Sequence, residues 1–191
     1  MERDRFILGR WREYDGEVRS TLLRLILIVV FYAIQLVHHL SLSAISDPQK
    51  IFHRQVTLVA AGWLILSLAV FIALKGGVMP AALKYVTTTL DLGFVLLLCW
   101  LGNGPASPLV NSLFVVIAMS ALRCRSGLVW YACAMASAGY MGLVAYLDQS
   151  WFDPEHATPV IDQAITVCSM FSVGAILDQM IRSLSFSARK S

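Results

Sequence analysis

Charge is scarce in this sequence: 14% of its 191 residues are Asp, Glu, Lys or Arg, against 58% hydrophobic residues, and the mean hydropathy is +0.69. A soluble domain carries about 25% charged and 45 to 50% apolar residues, so a water-soluble globular fold is excluded. The four cysteines, Cys99, Cys124, Cys133 and Cys168, form no CxxC pair and have no metal-type spacing. That excludes zinc-ribbon and dithiol redox motifs and leaves them as small packing residues. No Ser/His/Asp arrangement, paired carboxylate site or phosphate-binding loop can be assembled, so the protein is not expected to be an enzyme. Internal repeats are also missing, and with them the signature of many secondary transporters.

What the chain has instead is six apolar runs, residues 25–43, 55–74, 85–101, 106–122, 128–147 and 160–181, separated by short polar breaks. A spanning helix needs about 20 mostly apolar residues. The runs are continuously apolar, without the alternation that barrel strands require. The expected fold is therefore all-α, a polytopic membrane helix bundle with six transmembrane helices. The fourth run is the short one, 14 residues from Leu109 to Leu122. It reaches spanning length only if the segment from Pro105 to Pro108 forms its first turn, where a proline's missing N–H costs nothing.

Charge placement orients the bundle. With six spans and the N-terminus inside, thirteen of the fifteen Lys and Arg residues lie on the cytoplasmic side, leaving Lys50 and Arg54 outside. This is the asymmetry of the positive-inside rule, and it gives an N-in/C-in protein of the cell membrane, multi-pass, in the bacterial inner membrane. A re-entrant fourth run would move Arg123 and Arg125 outside. Residues 1–20 are then a cytoplasmic juxtamembrane segment, 21–183 the transmembrane domain and 184–191 a short cytoplasmic tail. The start MERDRF has no apolar core of a cleavable signal, so the first run is expected to serve as the insertion signal. Residues 10–19, with Trp11 and Tyr14, suit an interfacial helix or a solvated tail.

Polar groups in hydrocarbon are costly and usually face a bundle interior. Helical spacing aligns Arg24, Ile28, Tyr32, Gln35 and His39 on one face of the first run, and His53, Thr57, Ala60, Leu64 and Ser67 on one face of the second. Asp162, Thr166 and Ser169 align on the sixth. These stripes read either as interhelical hydrogen-bonding glue or as the lining of an outward-opening pocket, with Tyr32, Gln35, Asp162 and Thr166 as the cofactor- or ligand-binding candidates. Asp91, about 10 Å inside the third run by the helical rise, is expected to pair with Arg24 or Lys84. In the fifth run Ala132, Ala136 and Gly139 share one face and Ala138 and Gly142 another. Such small-residue faces permit close approach within the chain or to a partner.

All four histidines fall on the outer side of this topology. His38 and His39 end the first run, His53 opens the second, and His156 lies in the loop before the sixth. The short loop makes the first two runs a hairpin, so His39 and His53 are expected at similar depth on neighbouring helices. Imidazole is the commonest metal ligand, and Asp47, Asp153, Glu155 or Asp162 can supply a carboxylate. The pair reads as a zinc, copper or haem site with His38 and His156 as accessories, as a pH-responsive cluster, or as amphipathic rings anchoring helix ends.

Residues 91–146, with NGPASPLVNSLFVVIAMSALRCRSGLVWYACAMASAGYMGLVAY, resemble the six-helix membrane input domains of RegB/PrrB-type bacterial sensor histidine kinases. In that family a Gly-Gly and an Asn-Pro-Phe element before the fourth helix are associated with quinone sensing. Here Asn103-Gly104 and Ser107-Pro108-Leu109 stand at those places. The resemblance implies a signal-transducing sensor with a quinone as ligand. The residues after Ile181 are too few for an output domain.

The expected function is thus a membrane sensory or input-type module whose outward pocket binds a small ligand, metal or quinone and shifts helices toward their cytoplasmic ends. The alternatives are a haem- or metal-binding redox protein, a subunit of a larger membrane complex, and a small transporter. The expected partners are the lipid bilayer and, through small-residue helix faces, a second copy or a membrane-complex partner. No nucleic-acid partner is expected.

Overall fold

The structure, a computed structural model, describes residues 2–41, 47–77, 80, 82–102, 104–147 and 159–187, with side chains from Tyr14 to Leu184 apart from His38, Pro48 and Leu147. Over those residues the chain is all-α. The elements are α1 (Glu2–Ser41), α2 (Asp47–Lys75), α3 (Leu83–Leu101), two single 3-10 turns (Gly104–Ala106 and Pro108–Val110), α4 (Asn111–Ala121), α5 (Ser126–Leu147) and α6 (Val160–Ser187). Five helices are long and apolar enough to cross a bilayer, over Tyr14–Ser41, Gln49–Lys75, Leu83–Leu101, Ser126–Tyr146 and Val160–Leu184. The chain is a multi-pass membrane protein.

The fourth apolar run gives only the shorter helical stretch Pro108–Ala121. At 1.5 Å per residue it covers about 21 Å, against a hydrocarbon core of about 30 Å. The expected first turn is split in two because Pro105 and Pro108 each remove a backbone donor. Gly104 opens the segment in the left-handed region at φ 62°. Ser107 then caps the second turn, its hydroxyl accepting from the Leu109 N–H at 3.3 Å. At the other end of the chain α1 runs without a break for 40 residues, so residues 10–19 continue the helix of the first run.

The chain divides into two compact units, Met1–Pro80 and Ala81–Ser191. In the first, α1 and α2 pair as a hairpin. α2 buries Val56, Trp63, Ser67 and Leu74, a spacing that keeps to one helix face. α1 buries Glu17, Ser20, Thr21, Arg24 and Ile28, also one face. Ile34, Val37 and Leu40 on α1, with Ile51, Leu58 and Ile65 on α2, are exposed, as residues that meet lipid are.

In the second unit α5 touches α3, α4 and α6 and contributes the fully buried Leu128, Val129, Ala132, Cys133 and Ala136. Of its two small-residue faces, the one with Ala132 and Ala136 is packed inside the unit, whereas Ala138 and Gly142 are exposed. α4 is walled by α3, α5 and α6, so its Leu113, Val116, Ile117 and Met119 are buried in protein. Glycine sets two of the helix crossings. A Cβ on Gly139 would overlap the end of the Leu96 side chain, and one on Gly174 would overlap the Cys133 sulfur.

The two glycines differ in how far their neighbours can yield. Gly174→Ala, against a short side chain locked in the core, is expected to destabilise by about 1 to 3 kcal/mol, the usual cost of overpacking. Adding Cys133→Ala removes the sulfur and recovers most of that loss. Gly139→Ala, which meets only the flexible tip of Leu96, costs less than Gly174→Ala. Thermal unfolding of these variants in detergent measures the order.

Candidate functional site

Tyr32, Gln35 and His39 share one face of α1, and His53 and Thr57 share one face of α2; all five are half-buried. The hairpin brings the two histidines together as expected. Their rings stack with centroids 4.0 Å apart and planes within 3°. The Tyr32 ring lies 6.4 Å from His53 at 24°. Tyr32 and His39 are seven residues apart, about 10.5 Å along the helix, close to the two ring separations laid end to end. The His53 ring therefore sits between them, and the three rings form a short ladder.

Hydrogen bonds fix the lower rung. The Thr57 hydroxyl donates to the His53 carbonyl at 2.8 Å. Its one proton is thereby used, so Tyr32 is the donor in the 3.3 Å contact between the Tyr32 and Thr57 hydroxyls. His53 Nδ1 is buried and has no hydrogen-bond partner among the described residues. An unmade bond of this kind costs about 1 to 3 kcal/mol, which a ligand able to complete it would recover. Nearer the start of α2, Lys50 and Asp47 form an exposed ion pair at 2.9 Å.

The stack also sets what the histidine pair can hold in this arrangement. An imidazole nitrogen binds a metal along its lone pair, in the ring plane, at about 2.0 to 2.1 Å for zinc. Two parallel planes do not meet, so one ion shared by both rings requires one ring to rotate. A haem between the rings requires a gap that stacking contact does not leave. Among the described residues no group of three or more His, Cys, Asp and Glu is placed to hold a metal ion. The accessory candidates, the His38 side chain and His156 with Asp153 and Glu155, lie outside the described residues.

The remaining pocket candidates belong to the second unit. Asp162 is exposed, and the Thr166 hydroxyl donates to the Asp162 carbonyl at 2.8 Å, a bond within its own helix.

Sequence reasoning missed a buried polar cluster in the second unit. Arg123, counted as a loop cation, is only 5% exposed. Its guanidinium donates to the Lys84 carbonyl at 2.8 Å, the Thr88 hydroxyl at 2.6 Å and the Thr87 hydroxyl at 2.9 Å. Lys84, Thr87, Thr88 and Asp91 are all buried on α3. Asp91, expected beside Arg24 or Lys84, is buried seven residues along α3 from Lys84, on the same helix face. The residue after Arg123, Cys124, takes a left-handed φ of 51°, a conformation that costs an L-residue about 1 to 2 kcal/mol. This tight turn aims Arg123 inward while Arg125 stays exposed. The signal was present in the run Thr87-Thr88-Thr89, three hydroxyls together in a span. The polar face expected from Arg24 outward also extends the other way along α1 to Thr21, Ser20 and Glu17, all at most 3% exposed.

No family model, curated protein or solved structure matches the chain.

Removing the Arg123 guanidinium takes away three charge-assisted bonds and leaves the Thr87 and Thr88 hydroxyls with only their own donations to the Lys84 carbonyl. Arg123→Leu is expected to destabilise by about 3 kcal/mol, and Arg123→Lys, with a compact ammonium in place of the planar fork, to recover less than half of that. Arg125→Leu on the exposed side should stay within about 0.5 kcal/mol. Denaturant unfolding in mixed micelles compares the three.

Proposed function

We propose that the protein is a membrane sensory or input-type module with six spans, both termini cytoplasmic, in the bacterial inner membrane, and a ligand site at the outer end of the α1–α2 hairpin. The observation that carries this reading is the stacked His39–His53 pair with its buried, unpartnered ring nitrogen. The positive-inside count supports the topology. The sixth span needs α4 to cross. Together with its two 3-10 turns, at about 2.0 Å per residue, the stretch reaches at most about 30 Å, just enough.

The ligand we favour is a quinone-type headgroup. A flat ring can stack on an imidazole, and its carbonyl oxygens accept hydrogen bonds from an imidazole N–H or the Gln35 amide. The resemblance to RegB/PrrB-type input domains points to the same ligand class. Engagement of the ring ladder changes the spacing of α1 and α2 at their outer ends. α1 is one unbroken helix from that site to Glu2, about 60 Å by the helical rise, so a tilt at the site is carried to the cytoplasmic end.

The test is a titration of the purified full chain in nanodiscs with decylubiquinone, followed by tryptophan fluorescence. Saturable binding is expected, weakened about tenfold by His53→Ala, equivalent to about 1.4 kcal/mol, and unchanged by Gln55→Ala on the exposed side of α2. A preparation that ignores the quinone but carries stoichiometric zinc, copper or haem lost with His39 or His53 would replace this reading with the redox one.

A further inference from the structure

Two threonines among the described residues carry the same pair of hydrogen bonds. The Thr57 hydroxyl donates to the His53 carbonyl, one turn back on α2, at 2.8 Å and lies 3.3 Å from the Tyr32 hydroxyl of α1. The Thr89 hydroxyl donates to the Tyr85 carbonyl, one turn back on α3, at 2.9 Å and lies 2.7 Å from the Tyr131 hydroxyl of α5. A hydroxyl has one proton and two lone pairs. With each threonine proton spent on its own helix, the tyrosine is the donor in both contacts. Both relays therefore run from tyrosine to threonine to carbonyl.

The helix does not need the last link. His53 and Thr57 are four residues apart in α2, so the carbonyl also accepts the Thr57 backbone N–H and stays paired without the hydroxyl. What the threonine decides is the state of the tyrosine, because a phenol whose proton is held offers only lone pairs to anything else. The two tyrosines differ in their surroundings. Tyr131 meets the Tyr85 ring in a T-shaped contact, centroids 5.2 Å apart at 87°. Tyr32 has the His53 ring beside it, with an Nδ1 that lacks a hydrogen-bond partner among the described residues, and Gln35 and His39 on its own helix face. The Tyr32 proton is also the more loosely held, since 3.3 Å exceeds the usual O–H···O range of about 2.5 to 3.0 Å.

We propose that Thr57 is a specificity-determining residue of the ring-ladder site: by taking the Tyr32 proton it prevents the tyrosine from donating to a ligand carbonyl. The imidazole N–H and the Gln35 amide are then the donors that orient a carbonyl-bearing ring. The proposal rests on the quinone reading of this site. Thr57 acts through Tyr32, as a positioning residue, and its removal is expected to strengthen binding. A residue that only holds the hairpin together would do the opposite.

Two readouts on the full chain in nanodiscs test it. The first needs no ligand: the tyrosine C–O stretching band, isolated as the infrared difference between each chain and its Tyr32→Phe counterpart, reports whether the phenol donates. Thr57→Val should move the band to that of a phenol without this bond, and Thr57→Ser should restore it. The second is the decylubiquinone titration. Thr57→Val should tighten binding about threefold, the scale of one weak hydrogen bond, and adding Tyr32→Phe should abolish that gain. Thr89→Val, at the matching relay away from the ladder, should leave the affinity where it is. If Thr57→Val does not fold, Thr57→Ala removes the same hydroxyl and is read the same way. An unmoved band, or wild-type quinone binding that the variant weakens or leaves unchanged, overturns the proposal while the ligand reading stands. If the band moves and no chain binds the quinone, the ligand reading fails and the hold of Thr57 on the Tyr32 proton stands.

Discussion

In hydrocarbon a backbone N–H or C=O has no water to turn to, so each must be paired within the protein. That constraint makes every described element helical and forces each irregular segment to be packed or capped. Ser107 capping the turn before α4 is one case. The same constraint extends to side chains. Arg123 is tolerated inside the second unit because Thr87, Thr88 and the Lys84 carbonyl receive its donors, and the left-handed turn at Cys124 is the strain that this placement requires. Elsewhere the accounting does not close: the buried Ser20 and Thr21 hydroxyls have no hydrogen-bond partner among the described residues.

The ring ladder of the α1–α2 hairpin also leaves one polar atom open. Tyr32, Thr57 and the His53 carbonyl satisfy one another, and the imidazoles satisfy each other's faces by stacking, yet a ring nitrogen remains without a bond.

Much of this was legible from residue spacing. The apolar runs located all the long helices, because length and continuous hydrophobicity suffice to mark a span, and a short loop between His39 and His53 was enough to place them side by side. The two small-residue faces of α5 were readable as places of close approach, but not that the face with Ala132 and Ala136 packs within the unit while Ala138 and Gly142 stay exposed. What could not be read were features that depend on direction. Arg123 looked like any loop cation because its inward aim comes from one left-handed residue. The burial of Glu17, in the segment read as interfacial or solvated, did not show because charge alone does not tell burial from solvation. The double 3-10 turn before α4 depends on how two prolines divide a single turn, which periodicity does not resolve.

The helices of the second unit are also unequal in length. α3 has 19 residues and α6 has 28, about 28 Å and 42 Å by the helical rise, while α4 is shorter than either. A bilayer of one thickness cannot match all of them: it must thin beside the short helices, or the long one must tilt. The protein therefore has a preferred membrane thickness written into its helix lengths, and the lipid surrounding it contributes to the balance between α6 upright and α6 inclined.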